Sequence, residues 1–265
     1  MKTRLDQILV EKGLFPSRER AKASIMAGVV FVDNQRIDKA GTKVDPMSEI
    51  VVREDVCKYV SRGGLKLEKA IEEFDLDLDG CVCVDMGAST GGFTDCMLQN
   101  GARKVYAIDV GYGQFDYGLR MDERVVCMEK TNIRYMDTGL IEEAADFISI
   151  DVSFISLNLI FPVAAKVLSE EGAIVSLVKP QFEAGREQVG KKGIVRDPAV
   201  HREVLHKVCG YARDAGLCPV KLTYSPVTGA KGNIEYLLYM KKMNNNEDIE
   251  GLIEDTVSAA HRQLK

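Results

Sequence analysis

Lys179 stands at the end of an apolar run, Ala173 to Val178, and Pro180 follows it directly. An ammonium group at the tip of a buried strand, with a proline restricting the backbone behind it, is placed for chemistry if other charges end beside it. Three candidates are spaced along the chain. Asp151 closes the run FISI, Glu235 opens the segment EYLLYM, and Lys66 follows the pair Gly63-Gly64. Two lysines and two carboxylates brought together can withdraw a proton from a hydroxyl. A lysine serves as general base when burial and a second cation favour its neutral form, while acids hold the amines in place. Lys179 is the expected base, Lys66 the neighbouring charge, and Asp151 and Glu235 the orienting groups.

A second constellation lies upstream. The apolar run CVCV leads into DMGASTGGF, Asp85 to Phe93, and the next strand-like run ends in Asp109, 22 residues after Gly87. A glycine-rich turn at the end of a first strand is where doubly wound folds bind nucleotides, and an acid on the next strand receives ribose hydroxyls. The dinucleotide pattern G-x-G-x-x-G needs its second glycine so that a pyrophosphate can approach the backbone; here Ser89 occupies that place. That substitution disfavours NAD and an oxidoreductase. S-adenosylmethionine carries no phosphate and needs a carboxylate ahead of the turn for its ammonium, a role open to Asp85. The expected cradle is Asp85, Gly87, Ala88, Ser89, Gly91, Gly92, Phe93 and Asp109, with Asn132 contacting the adenine.

These residues need a scaffold that gathers strand ends. From Cys81 onward, short apolar runs alternate with amphipathic stretches (KVYAIDV, RVVCM, ADFISIDVS and AIVSLVK among the strands), which predicts an α/β fold with a Rossmann-like, mostly parallel sheet covered on both faces. The last two strand candidates, PVKLTYSPV and IEYLLYMKK, have no helix between them and form an antiparallel hairpin. Asp151, Lys179 and the start of the Ile234 strand then share one edge, and Lys66 reaches it from the helix before the first strand. The chain ahead of this domain reads as helix, helix and short strands. Leu5, Ile8 and Leu9 mark one buried face, Ser17 caps the second helix, Gly28 ends it, and VVFVDNQRI turns at Asp33-Asn34. The expected boundaries are a small α+β domain at 1–58, a linker at 59–64 broken by Ser61-Arg62-Gly63-Gly64, and the larger domain at 65–265.

Two resemblances follow from these motifs. The stretch SRERAKASIMAGVVFVDNQRI resembles the αL RNA-binding module. That likeness implies that Arg4, Arg18, Arg20, Lys22 and Arg36 meet RNA phosphates, with Arg62 added from the linker. The order Lys66, Asp151, Lys179, Glu235, within YVSRGGLKL, DVSFISL, LVKPQFEAGR and KGNIEYL, resembles the TlyA/hemolysin-A family of FtsJ-type RNA ribose 2′-O-methyltransferases. The resemblance implies S-adenosylmethionine as cofactor and ribosomal RNA or ribosomal subunits as partner, with methylation at cytidine. The glycine-rich basic stretch FEAGREQVGKKGIVRDP would be a mobile loop gripping that RNA. A non-catalytic RNA-binding protein with a relic fold, and a membrane-active hemolysin, are the alternative readings.

Composition narrows the choices. With 46% hydrophobic and 28% charged residues, the chain has the make-up of a soluble globular protein. No apolar run reaches membrane-spanning length, and MKTRLDQ lacks the apolar core of a signal peptide, so a cytoplasmic location is expected. Seven cysteines are scattered without a clustered histidine partner, which points to reduced thiols and no metal site. The first sixty residues carry 11 basic and 9 acidic side chains against a whole-chain net charge of −5, so the positive balance lies on the small domain.

Overall fold

The computed structural model describes residues 2–52, 58–229, 232–242 and 249–264, and divides the chain into two units, 1–62 and 63–265. In the first unit a short strand β1 (Thr3–Arg4) leads into α1 (Leu5–Glu11), followed by α2 (Arg18–Ala27), β2 (Val30–Val32), β3 (Gln35–Arg36), β4 (Lys43–Val44) and β5 (Ile50–Val52). Leu5, Ile8 and Leu9 are buried with Ile25, Val30 and Val32 in one core. Ser17 caps α2 by accepting from the Arg20 N–H at 3.3 Å, and Gly28 closes it in the left-handed conformation. Asp33 and Asn34 both have positive φ, the geometry a two-residue hairpin requires, and join β2 to β3. β5 pairs with the other edge of β2, whereas the pairing of β1 with β4 has no counterpart in the sequence pattern because two residues show no alternation.

The second unit opens with α3 (Gly63–Phe74), so the glycine pair expected to interrupt structure forms the first turn of a helix. Glycine's low helix propensity costs least at a terminus, where the amide groups lack intrahelical partners in any case. The chain continues through β6 (Val82–Met86), α4 (Gly92–Gln99), β7 (Lys104–Ile108), α5 (Tyr117–Arg120), β8 (Val125–Met128), β9 (Ala145–Ile150), α6 (Phe161–Val167) and β10 (Leu168–Val178). It ends with α7 (Pro180–Glu183), α8 (Pro198–Asp214), β11 (Cys218–Tyr224), β12 (Tyr236–Lys241) and α9 (Glu250–Gln263). The seven strands lie in the order β8-β7-β6-β9-β10-β12-β11, and β12 alone runs antiparallel to its neighbours. Residues of β6, β9, β10 and β12, among them Val84, Ile148, Ile174 and Leu238, form the centre of the core, fully removed from water. Each such side chain contributes roughly 1.5–3 kcal/mol of burial.

The mostly parallel sheet with its terminal antiparallel strand is the expected architecture. One difference concerns β10, which starts at Leu168 rather than Ala173; its register on β9 shifts between these residues, and the polar bulge hides the earlier start from an apolar-run reading. Among the described residues no helix is long and apolar enough to cross a membrane, and no three His, Cys, Asp or Glu side chains are grouped to hold a metal. The six described cysteines are free thiols; Cys57 lies outside the described residues.

Candidate active site

Strand order reverses between β6 and β9, and it is at such a switch point that open α/β sheets bind ligands. The turn after β6 passes close to the end of β9. Gly87 has φ +96°, and a Cβ there would lie 2.5 Å from the Asp151 carbonyl, so only glycine permits this approach. Beside it opens a cavity of about 500 Å³, lined by Gly87, Ser89, Asp109, Asn132 and Asp151 together with Val110, Ile133 and Ile160. Asp109 is fixed within it: the Ser89 N–H donates to one oxygen at 2.8 Å and the Gly111 N–H to the other at 2.6 Å. Among the described residues lining this cavity are two carboxylates and no lysine or arginine. Such a lining suits a cationic, sugar-bearing ligand with a flat apolar ring and opposes a pyrophosphate.

Of the other predicted cradle residues, Asp85, Ala88, Gly91, Gly92 and Phe93 are not among those lining the cavity. Asp85 is fully buried, accepting from Thr94 Oγ1 at 2.7 Å and Ser149 Oγ at 3.1 Å. Burial pushes its carboxyl up to about 7, against the pull of those hydrogen bonds. Gly91 and Gly92 start α4, and Ala88 and Phe93 are buried beside the turn. Asn132 is exposed and caps a short 3₁₀ turn by accepting from the Arg134 N–H.

At the Asp151 end of the cavity the four charged residues meet. Lys179 Nζ lies 2.5 Å from Asp151 Oδ1 and donates to the Val152 carbonyl and Ser153 Oγ, both at 3.0 Å. Lys66 Nζ, from the first turn of α3, lies 2.7 Å from Glu235 Oε2 and 3.9 Å from Asp151 Oδ2. The set is therefore a chain, Glu235–Lys66–Asp151–Lys179, with Asp151 between the two ammonium groups. Backbone hydrogen bonds hold its members: the Asp151 N–H donates to the Met86 carbonyl, and the Ser225 N–H to that of Glu235. Gly229 packs so closely on Glu235 that a Cβ there would overlap its carboxylate. Gln181, Ser153 and Gly229 had no signal of their own in the sequence; Gln181 Nε2 reaches Glu235 Oε1 at 3.4 Å. Phe154 was equally silent: it is exposed at the cavity rim with φ +63°, a conformation costing about 1–2 kcal/mol for a non-glycine residue.

In the first unit, the predicted basic residues are organised differently. Arg4 and Arg18 both pair with the buried Asp6 at 2.9 Å, chiefly through the Arg4 hydrogen bond holding that carboxyl down at about 2. Arg20 donates to the Tyr59 carbonyl at 3.1 Å, Lys22 lies 3.9 Å from Glu19, and Arg36 is exposed with its guanidinium over Gly28. Arg62 is exposed at the end of the unit.

Comparison with known proteins bears on both units. Residues 59–242 match the FtsJ-like methyltransferase family and residues 3–50 the S4 domain. The Bacillus subtilis protein YqxC is 49% identical over 100% of this chain and 96% of its own. The Mycobacterium tuberculosis 16S/23S rRNA (cytidine-2′-O)-methyltransferase TlyA is 40% identical over 98% of this chain and 97% of its own. A solved Streptococcus thermophilus structure, 48% identical, superposes with a TM-score of 0.80 and covers 99% of this chain and 96% of that one. The chain belongs to the TlyA/hemolysin-A group of FtsJ-like methyltransferases, with an S4 domain ahead of the catalytic fold.

Proposed function

We propose that this protein transfers a methyl group from S-adenosylmethionine to the ribose 2′-hydroxyl of cytidine in ribosomal RNA, a reaction of the cytoplasm. The observation that carries the reading is the run of Glu235, Lys66, Asp151 and Lys179 at the end of a cavity whose lining suits a cation. The TlyA relative, named for the same reaction, supports the choice of substrate.

Asp109 and the Gly87–Ser89 turn would hold the adenosyl group, with Asn132 at its ring. S-adenosylmethionine supplies an electrophilic methyl carbon on a sulfonium. The residues of this chain supply alignment and a proton acceptor. Lys179 donates to the Val152 carbonyl and Ser153 Oγ and is ion-paired with Asp151. As general base, Lys179 would take up the 2′-hydroxyl proton as that oxygen attacks the methyl carbon. Asp151 fixes both amines, and Glu235 keeps Lys66 facing the same position, where it steers the ribose. Alignment of the hydroxyl with the methyl carbon and proton withdrawal act together. Residues 1–58, joined by 59–64 to the catalytic domain at 65–265, would grip RNA phosphates through Arg4, Arg18, Arg20, Lys22 and Arg36, with Arg62 contributing from the joint.

Incubating the protein with labelled S-adenosylmethionine and either ribosomal subunits or deproteinised rRNA, then mapping ribose methylation, tests the reading. Label at a cytidine 2′-oxygen supports it. Tight RNA binding with no transfer to any substrate would leave only the relic-fold alternative.

A further inference from the structure

Four residues after Lys179, a second ionisable group of the same segment turns toward the loop that carries Asp151. Glu183 ends α7, the single helical turn that Pro180 begins, and the residue is 4% exposed. Both oxygens are used. Oε1 accepts from the Leu157 N–H at 2.8 Å, and Oε2 accepts from Ser156 Oγ at 2.8 Å. Ser156 in turn caps the 3₁₀ turn Leu157–Leu159, accepting from the Asn158 N–H. Glu183 therefore closes the far end of the Asp151–Leu157 loop, while Lys179 closes the near end through Asp151, Val152 and Ser153. Between the two clamps Phe154 is held with φ +63° and packs its ring on Phe182, centroids 4.9 Å apart. Lys207 anchors α7 from behind, donating to the Glu183 carbonyl at 2.9 Å.

A carboxylate this buried is costly unless its hydrogen bonds serve the structure around it. What it serves here is one loop, and that loop supplies three partners of the expected base and one wall of the cavity. We infer that Glu183 is a positioning residue for methyl transfer: by capping Ser156 and Leu157 it holds the Asp151–Ser153 acceptors in register with Lys179. The inference rests on the proposed function and extends it to a residue outside the four charges. It also explains the spacing of the KPQFE segment, since one helical turn is the length that lets an ammonium and a carboxylate grip both ends of the same loop.

The test uses the full chain with Glu183→Ala, Glu183→Gln and Ser156→Ala. Steady-state methyl transfer is measured alongside amide exchange of residues 151–157, a readout that needs no turnover. Glu183→Ala is expected to lower kcat at least tenfold with the RNA KM within about threefold, and to speed exchange at Leu157. Glutamine keeps an acceptor for Leu157 and can donate to Ser156 Oγ, so Glu183→Gln is expected to restore kcat to within about threefold of the parent. Unchanged kcat and unchanged loop exchange in Glu183→Ala would overturn the inference, as would a glutamine variant no better than alanine. Should Glu183→Ala fail to fold, Ser156→Ala decides: a kcat loss of threefold or more at unchanged Tm supports the inference, and full activity overturns it. An inactive parent protein with faster loop exchange in the variant would instead count against the methyltransferase reading alone.

Discussion

Two aspartates in this chain each bridge a pair of cations, one in each unit. Asp6 takes Arg4 and Arg18, both at 2.9 Å, and the two arginine side chains remain 44% and 46% exposed. Asp151 takes Lys179 at 2.5 Å and Lys66 at 3.9 Å, and these ammonium-bearing side chains are only 9% and 13% exposed. The arrangement is the same and the chemistry differs. Guanidinium does not lose its proton in proteins, so an exposed arginine pair offers lasting positive charge and fork geometry to a phosphate. Lysine, unlike arginine, is a residue type that enzymes use as a general base, the role proposed here for Lys179. Residue type and burial, more than the shape of the cluster, divide binding from catalysis.

Substitutions that break one cluster should leave the other working. The largest effect is expected from Lys179→Ala, which removes the proton acceptor: kcat should fall by roughly 10²–10⁴-fold, with S-adenosylmethionine affinity by calorimetry close to that of the parent. Glu235→Ala comes next. It strips Lys66 of its nearer partner while Asp151 remains, so denaturant unfolding should show a loss of about 2–3 kcal/mol together with weakened turnover. Asp6→Asn should be milder. Both arginines stay charged and can turn to solvent, so RNA affinity is expected to fall by about two- to fivefold, as one lost charge-assisted contact allows, with kcat at saturating RNA unchanged.

A last prediction sharpens the comparison through pH. Asp6 has a depressed pKa, so its contribution to stability is present above about 4 and is lost only as pH falls toward about 2. Asp85 behaves in the opposite way. Its pKa is raised to about 7, so its contribution is complete below about 4 and is lost as pH rises through about 7. Tm measured from pH 4 to 8 should show a declining component that Asp85→Asn abolishes, and a slope identical in both proteins would refute the assignment.

Much of this was readable from residue order. The alternation of runs after Cys81 indicated the sheet, and its topology brought Lys66, Asp151, Lys179 and Glu235 to one edge because strand direction alone decides which ends meet. What the sequence did not reveal is contact-level. A glycine-rich turn indicates a binding site but not the hydrogen bonds around it, so the Thr94 and Ser149 hydroxyls that donate to Asp85 had no signal in the sequence. Asp6 has no sequence signal as an arginine organiser because its partners are 2 and 12 residues away. Ser153 and Glu183 were hidden for a similar reason: their roles depend on a loop and a single helical turn meeting, and neither has a period to detect.

The most direct test of the central claim is Lys179→Arg. Arginine keeps a positive charge beside Asp151, and with it the electrostatics of the cluster, but it cannot take up a proton. If Lys179 is the base, single-turnover methyl transfer to rRNA should fall at least a hundredfold while S-adenosylmethionine and RNA both still bind. Transfer within a few-fold of the parent rate would contradict the account, because it would mean that charge at this position is sufficient.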